Sequence, residues 1–157
     1  MRKCFSLLFL FLISNVFSQE NEYFVDANFD VDNRIIEIYQ TIDFTNTNSN
    51  NLNYIILNDW AHSYYNPTTP LGKRLSEDFT LNFQRSTKNQ RGFTSIINIM
   101  SDNVILDYKR LKENIDLVKV KLPDILKPEE KITITIEYKI KIPISDFTGY
   151  GIDKNNN

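Results

Sequence analysis

Lys131-Ile132-Thr133-Ile134-Thr135-Ile136-Glu137-Tyr138-Lys139-Ile140-Lys141-Ile142 alternates apolar and polar side chains without a break. Ile132, Ile134, Ile136, Tyr138, Ile140 and Ile142 share one parity, and lysines, threonines and Glu137 take the other. A helix would scatter these isoleucines around its surface, whereas a strand lines them along one face. Pro143 ends the segment because proline removes a ladder donor. The stretch therefore predicts a strand with one buried face.

Working outward, the same signal returns. Phe93 to Met100, Asn103 to Lys109 and Ile115 to Leu122 read as strands, with Ser101-Asp102-Asn103 and Lys112-Glu113-Asn114 as hairpin connections. Apolar parity slips between Leu117 and Val118, which predicts a β-bulge there, since one extra residue reverses the buried face. In the first third, Tyr23, Val25, Ala27, Phe29 and Val31 alternate with Phe24, Asp26, Asn28, Asp30 and Asp32, the mark of a half-buried strand. Asp32-Asn33 suits a turn, Arg34 to Asn46 resumes the alternation, and Leu52 to Leu57 gives a third strand after an asparagine-rich break.

Asn58 to Gly92 differs. Thr69-Pro70 followed by Leu71, Leu75, Phe79 and Phe83 predicts one short helical insertion from about Pro70 to Phe83, with threonine before the helix and proline at its first position. Gly72 and Thr80 weigh against that helix. Strands with one apolar face and closely spaced turns predict an all-β, mostly antiparallel β-sandwich, not an α/β fold. The breaks are too irregular for a transmembrane barrel, whose lipid face is apolar along every strand.

The N-terminus reads as a signal peptide over residues 1–18: Arg2 and Lys3, then the apolar run from Leu7 to Ile13, then Val16-Phe17-Ser18. That run is too short to cross a bilayer, which takes about 20 such residues. Residues 19–157 would then form a single exported domain, periplasmic or extracellular. Cys4, the only cysteine among the 157 residues, precedes the apolar run. Cleavage after Ser18 would leave a mature form with no disulfide framework, cysteine-bound zinc or thiol chemistry. A net charge of −2 and a pI near 5.4 argue against a general nucleic-acid binder. The lysines and arginines are scattered among acids, as in Lys109-Arg110-Leu111-Lys112-Glu113, and read as solvated surface.

Little catalytic chemistry is visible. His62 is the only histidine, whereas a zinc hydrolase site takes two histidines and a carboxylate or three histidines. A histidine bonded to backbone or water is the simpler reading. Glu77-Asp78 and Glu129-Glu130 are adjacent pairs, and adjacent side chains on a strand point apart. Asp26, Asn28, Asp30 and Asp32 fall on one strand face, a solvated face before it is a cation site. No phosphate-cradling or calcium-loop motif is present. Asn58-Asp59-Trp60-Ala61-His62-Ser63-Tyr64-Tyr65-Asn66 concentrates aromatics in a predicted loop, making Trp60, His62, Tyr64 and Tyr65 the candidate interface. The competing reading folds Trp60 and one tyrosine back into the core.

The stretches Tyr39 to Trp60, Thr69-Pro70-Leu71-Gly72-Lys73-Arg74-Leu75, and Ile132 to Ile142 with Pro143 and Phe147-Thr148-Gly149-Tyr150-Gly151 carry a resemblance. Over most of the mature chain, the sequence resembles the N-terminal domain of secreted bacterial M1-type zinc metallopeptidases, the aminopeptidase N-like group. The resemblance implies a saddle-shaped β-sandwich that packs in cis against a thermolysin-like catalytic domain and helps wall a peptide cleft. It implies zinc only in that catalytic domain, held by HExxH and a more distant glutamate, with a GxMEN-like segment for the substrate amino group. None of these motifs occurs here, so no catalytic, cofactor or metal residue carries over. The expectation is a noncatalytic domain, inactive alone, forming the front part of a longer protein. The alternative is a stand-alone secreted β-sandwich that binds glycan or protein.

Overall fold

A computed structural model describes residues 21–79, 81–147 and 151–152. The predicted signal peptide and positions 148–150 of the C-terminal motif lie outside them. In chain order the elements are β1 (Glu22–Asp30), β2 (Ile35–Thr45), β3 (Leu52–Asn58), α1 (Pro70–Glu77), β4 (Phe93–Ser101), β5 (Val104–Ile105), β6 (Tyr108–Arg110), β7 (Leu117–Leu126) and β8 (Lys131–Lys141). Short 3₁₀ turns at Trp60–Tyr64 and Lys88–Gln90 flank α1. One sheet has the order β1-β2-β8-β4-β5 and the other β3-β7-β6, with every pairing antiparallel. The all-β sandwich expected from the alternation is what forms.

β8 lies at the centre of the five-stranded sheet, which accounts for its unbroken alternation. Ile134 faces Ile42 across the ladder, and Ile136 pairs with Gln40 on one side and Ile99 on the other. Ile42, Ile99, Ile134 and Ile136 pack in one core with Ile55, Val118, Val120 and Leu122 of the smaller sheet. Ile99, Ile134 and Val120 have no exposed surface. Burial of each such side chain contributes about 1.5–3 kcal/mol relative to leaving it in water. No helix among the described residues is long and apolar enough to cross a membrane.

Four local expectations change. β1 is not half-buried: Tyr23, Val25 and Phe29, on the face that β2 and β8 turn to the core, are 59%, 59% and 63% exposed. β1 is the outermost strand, and the smaller sheet leaves that face uncovered. The segment 103–109 is two strands, not one. Residues 104–105 pair with β4 and 108–110 with β7, and buried Leu106 marks the crossing between sheets.

The predicted bulge at Leu117/Val118 is absent, because Leu57 pairs with Val118 and Asn58 with Leu117 in regular register. The register shift instead falls where Leu52 and Tyr54 meet Leu126 and Lys121, a stretch of β7 that contains Pro123 and so tolerates its missing donor. Finally, α1 stops at Glu77. Asp78 caps it, and Phe79 turns left-handed at φ 58° and stays exposed. Phe83 reaches the interior from the turn beyond, forming a second small core with Tyr64 and Phe147. Between β4 and β5, Asp102 and Asn103 both take positive φ, the hairpin geometry their side chains favour.

Candidate functional site

The site is built on Asp59, the residue that leaves β3. Its side chain caps the 3₁₀ turn Trp60–Tyr64: Oδ1 accepts from the His62 amide at 3.2 Å and from Thr94 Oγ1 at 2.6 Å. Oδ2 accepts from Arg110 Nη2 at 2.7 Å. Arg110 also donates through Nη1 to the Ile115 carbonyl at 2.8 Å. The Asp59 amide itself donates to the Asp116 carbonyl at 2.6 Å. One carboxylate thus ties the end of β3 to β4 and β6, so both sheets hold the base of the aromatic segment.

His62 lies inside this frame. Its Nδ1 stands 3.0 Å from the Thr94 carbonyl and 3.2 Å from the Thr94 amide, so the tautomer decides whether it donates or accepts. Burial, and then the positive charge of Arg110, holds the imidazole below its ordinary pKa and favours the neutral ring. The bonded, structural histidine expected from sequence is what stands here. Tyr65 stacks on the imidazole at 5.0 Å and 8°, and meets Phe93 edge-on at 6.3 Å. Trp60 contacts Tyr64 edge-on at 6.2 Å, and Tyr64 leads on to Phe83.

The four candidate interface residues therefore separate. Trp60 and Tyr65 are 55% and 51% exposed, whereas His62 and Tyr64 are buried. His62 and Tyr64 lie beneath the surface instead of on it, because the 3₁₀ turn points them at Thr94 and at the second core. Phe93, exposed beside Tyr65, joins the surface pair. Beneath them the turn is locked to α1. Thr69 Oγ1 donates to the Ser63 carbonyl at 2.7 Å and accepts from the Gly72 amide at 3.0 Å, capping α1.

Next to Asp59, a groove of about 340 Å³ opens between the sheets, lined by Gln40, Ile42, Leu57, Asp59, Thr94 and Tyr138 among others. Tyr138 donates to Gln40 Oε1 at 2.8 Å. Burial and the nearby Asp59 carboxylate raise its pKa and keep the phenol protonated. Apolar walls with a few convergent polar groups are the usual lining of a small-molecule groove. Among the described residues, no group of three or more histidine, cysteine, aspartate or glutamate side chains is placed to hold a metal ion.

Arg110 belongs to the site although the charged run around it reads, from sequence, as solvated surface. Its side chain is only 21% exposed and pairs with Asp59, 13% exposed. The available signal was Asp59 itself, an aspartate placed to cap a turn. Nothing in the sequence marked Arg110 as its partner, 51 positions away. Compared with protein-family models and with curated proteins, the chain matches none.

Proposed function

We propose that this chain is the noncatalytic N-terminal domain of an exported M1-like zinc metallopeptidase of aminopeptidase type, docking on a catalytic domain of the same polypeptide. The observation that carries this reading is the exposure of Trp60 and of the neighbouring pair Tyr65 and Phe93, on a segment whose base is fixed by Asp59 and Arg110. Exposed aromatics on a rigid support suit burial against a protein partner, since little ordering entropy is left to lose. The stretches that carry the resemblance also meet in space. Tyr39 to Thr45 pair with Lys131 to Glu137 in the large sheet, and Leu71 and Leu75 pack against the small core that contains Phe147. In this reading zinc and the peptide-cleaving groups belong to the catalytic domain, and this domain contributes a wall of the cleft.

The test is the intact mass of the native product from its source, together with the coding sequence that follows Asn157. A much larger product with HExxH downstream supports the reading, and peptidase activity of that product should fall when Trp60 and Tyr65 become alanine. A native mature protein ending at Asn157 overturns it. The exposure of Trp60 and Tyr65 favours a second reading, a stand-alone secreted module for glycan or protein, whose mark is saturable binding lost in the same two variants.

A further inference from the structure

β1 combines three properties that a finished sheet edge avoids. All nine of its residues pair with β2 on one side, and no described strand lies on the other. An antiparallel edge strand presents the N–H and C=O groups of every second residue outward, a template for another strand. The strand contains no proline, glycine or lysine, and no bulge interrupts its register, so of the usual protective devices it keeps only charge, in its acidic side chains. Its core-facing side is apolar and open, with Tyr23, Val25 and Phe29 each about 60% exposed.

The opposite side carries three acids: Glu22, Asp26 and Asp30 share it with Asn28 and with Phe24, 61% exposed, and Glu22 stands directly across from Asp43 of β2, with Lys131 lining the same depression. Glu37 is already paired with Lys139, and the Asp30 carboxylate is held by Asn33, while Asp26 has no ion pair among the described residues. A second copy of this chain is a poor occupant. Antiparallel pairing centred on Asp26 would set Asp26 against Asp26 and Glu22 against Asp30.

We propose that β1 is a docking edge for an extended segment of a partner protein in which basic and apolar residues alternate. The incoming strand adds to the five-stranded sheet beyond β1. Its apolar side chains continue the uncovered face beside Tyr23, Val25 and Phe29, and its basic side chains lie next to Glu22 and Asp26. Main-chain bonds supply affinity and the charged side supplies the choice of partner. The inference stands independently of the peptidase reading.

The test uses the exported chain and blocked synthetic nonapeptides. One alternates lysine with isoleucine, one alternates glutamate with isoleucine, and one has the first peptide's composition arranged in two blocks. Hydrogen exchange with the lysine–isoleucine alternator should slow at alternate amides of Glu22–Asp30 and at no other strand. The glutamate and block peptides should bind at least about tenfold more weakly. The double variant Glu22→Lys and Asp26→Lys, which leaves the Asp30–Asn33 turn intact, should reverse the preference toward the glutamate peptide. Thermal melting of that variant checks that it remains folded. Equal affinity for all three peptides, protection confined to other strands, no binding of any peptide, or a β1-mediated dimer in sedimentation would each overturn the proposal.

Discussion

Arg110 on β6 and Asp59 at the end of β3 meet at 2.7 Å with both side chains mostly out of water, although β7 lies between their strands. The pair spans the small sheet and reaches Thr94 of the large one. Arg110→Met removes the guanidinium and leaves the carboxylate without its cation. Breaking a buried pair costs about 3–5 kcal/mol, and the residual exposure here moves the expected loss to about 2–3 kcal/mol. Adding Asp59→Asn should recover part of that loss, because no uncompensated charge remains. Chemical denaturation of the two variants and the double variant gives the coupling. Simple addition of the two single losses would show that the ion pair does not organise the site.

His62 predicts a pH dependence. Its folded pKa lies below the ordinary value of 6.5, chiefly through burial. As pH falls below about 6.5, the unfolded chain takes up a proton that the folded chain refuses, so stability drops. The loss levels off once pH passes below the folded pKa. In His62→Asn, the amide stands close to where Nδ1 stood and does not titrate, so this part of the slope should vanish even if overall stability is lower. Melting curves from pH 7.5 to 5 for both proteins check it. Parallel curves would mean that other groups carry the slope.

The sandwich was legible because central strands are constrained on one whole face. β8 is flanked by β2 and β4, and any polar residue among Ile132, Ile134 and Ile136 would sit in the core. The failures occur where that constraint lapses. β1 has the same period of two but is an edge strand, and periodicity records which side chains share a face, not whether anything covers it. The 103–109 segment changes sheets at Leu106, and a crossing of that kind leaves an apolar residue in an unbroken-looking pattern. At the site, the aromatic cluster was visible as composition. The division into buried His62 and Tyr64 and exposed Trp60 and Tyr65 depends on a 3₁₀ turn capped by Asp59, which strand periodicity does not encode.

Gly72 sits where α1 crosses its own approach. A Cβ there would run into the carbonyl of Pro67, a backbone atom with little freedom to retreat. The Gly72 carbonyl also accepts from Gln84 Nε2 at 2.6 Å, and its amide donates to the Thr69 cap. Gly72→Ala should therefore destabilise by about 1–3 kcal/mol despite the better helix propensity of alanine. Near-ultraviolet circular dichroism should report loosening of Tyr64 and Phe83 before the sheets melt. A gain in stability, as propensity alone predicts, would show that the contact relaxes freely.

Trp60 and Tyr64 touch edge-on, yet their losses should differ in kind. Tyr64 is 1% exposed and packs on Phe83, so Tyr64→Ala opens a cavity and should cost about 3–5 kcal/mol. Trp60 is 55% exposed, so Trp60→Ala gives up only the shielded part of its surface and one ring contact, about 1 kcal/mol or less. If Trp60 serves a partner, its removal leaves the melting temperature nearly unchanged and weakens association, whereas Tyr64→Ala lowers both together. Melting temperature and partner binding, measured on the same preparations, separate the two residues. A large loss of melting temperature in Trp60→Ala would place the indole in the core and remove the aromatic surface from the docking face.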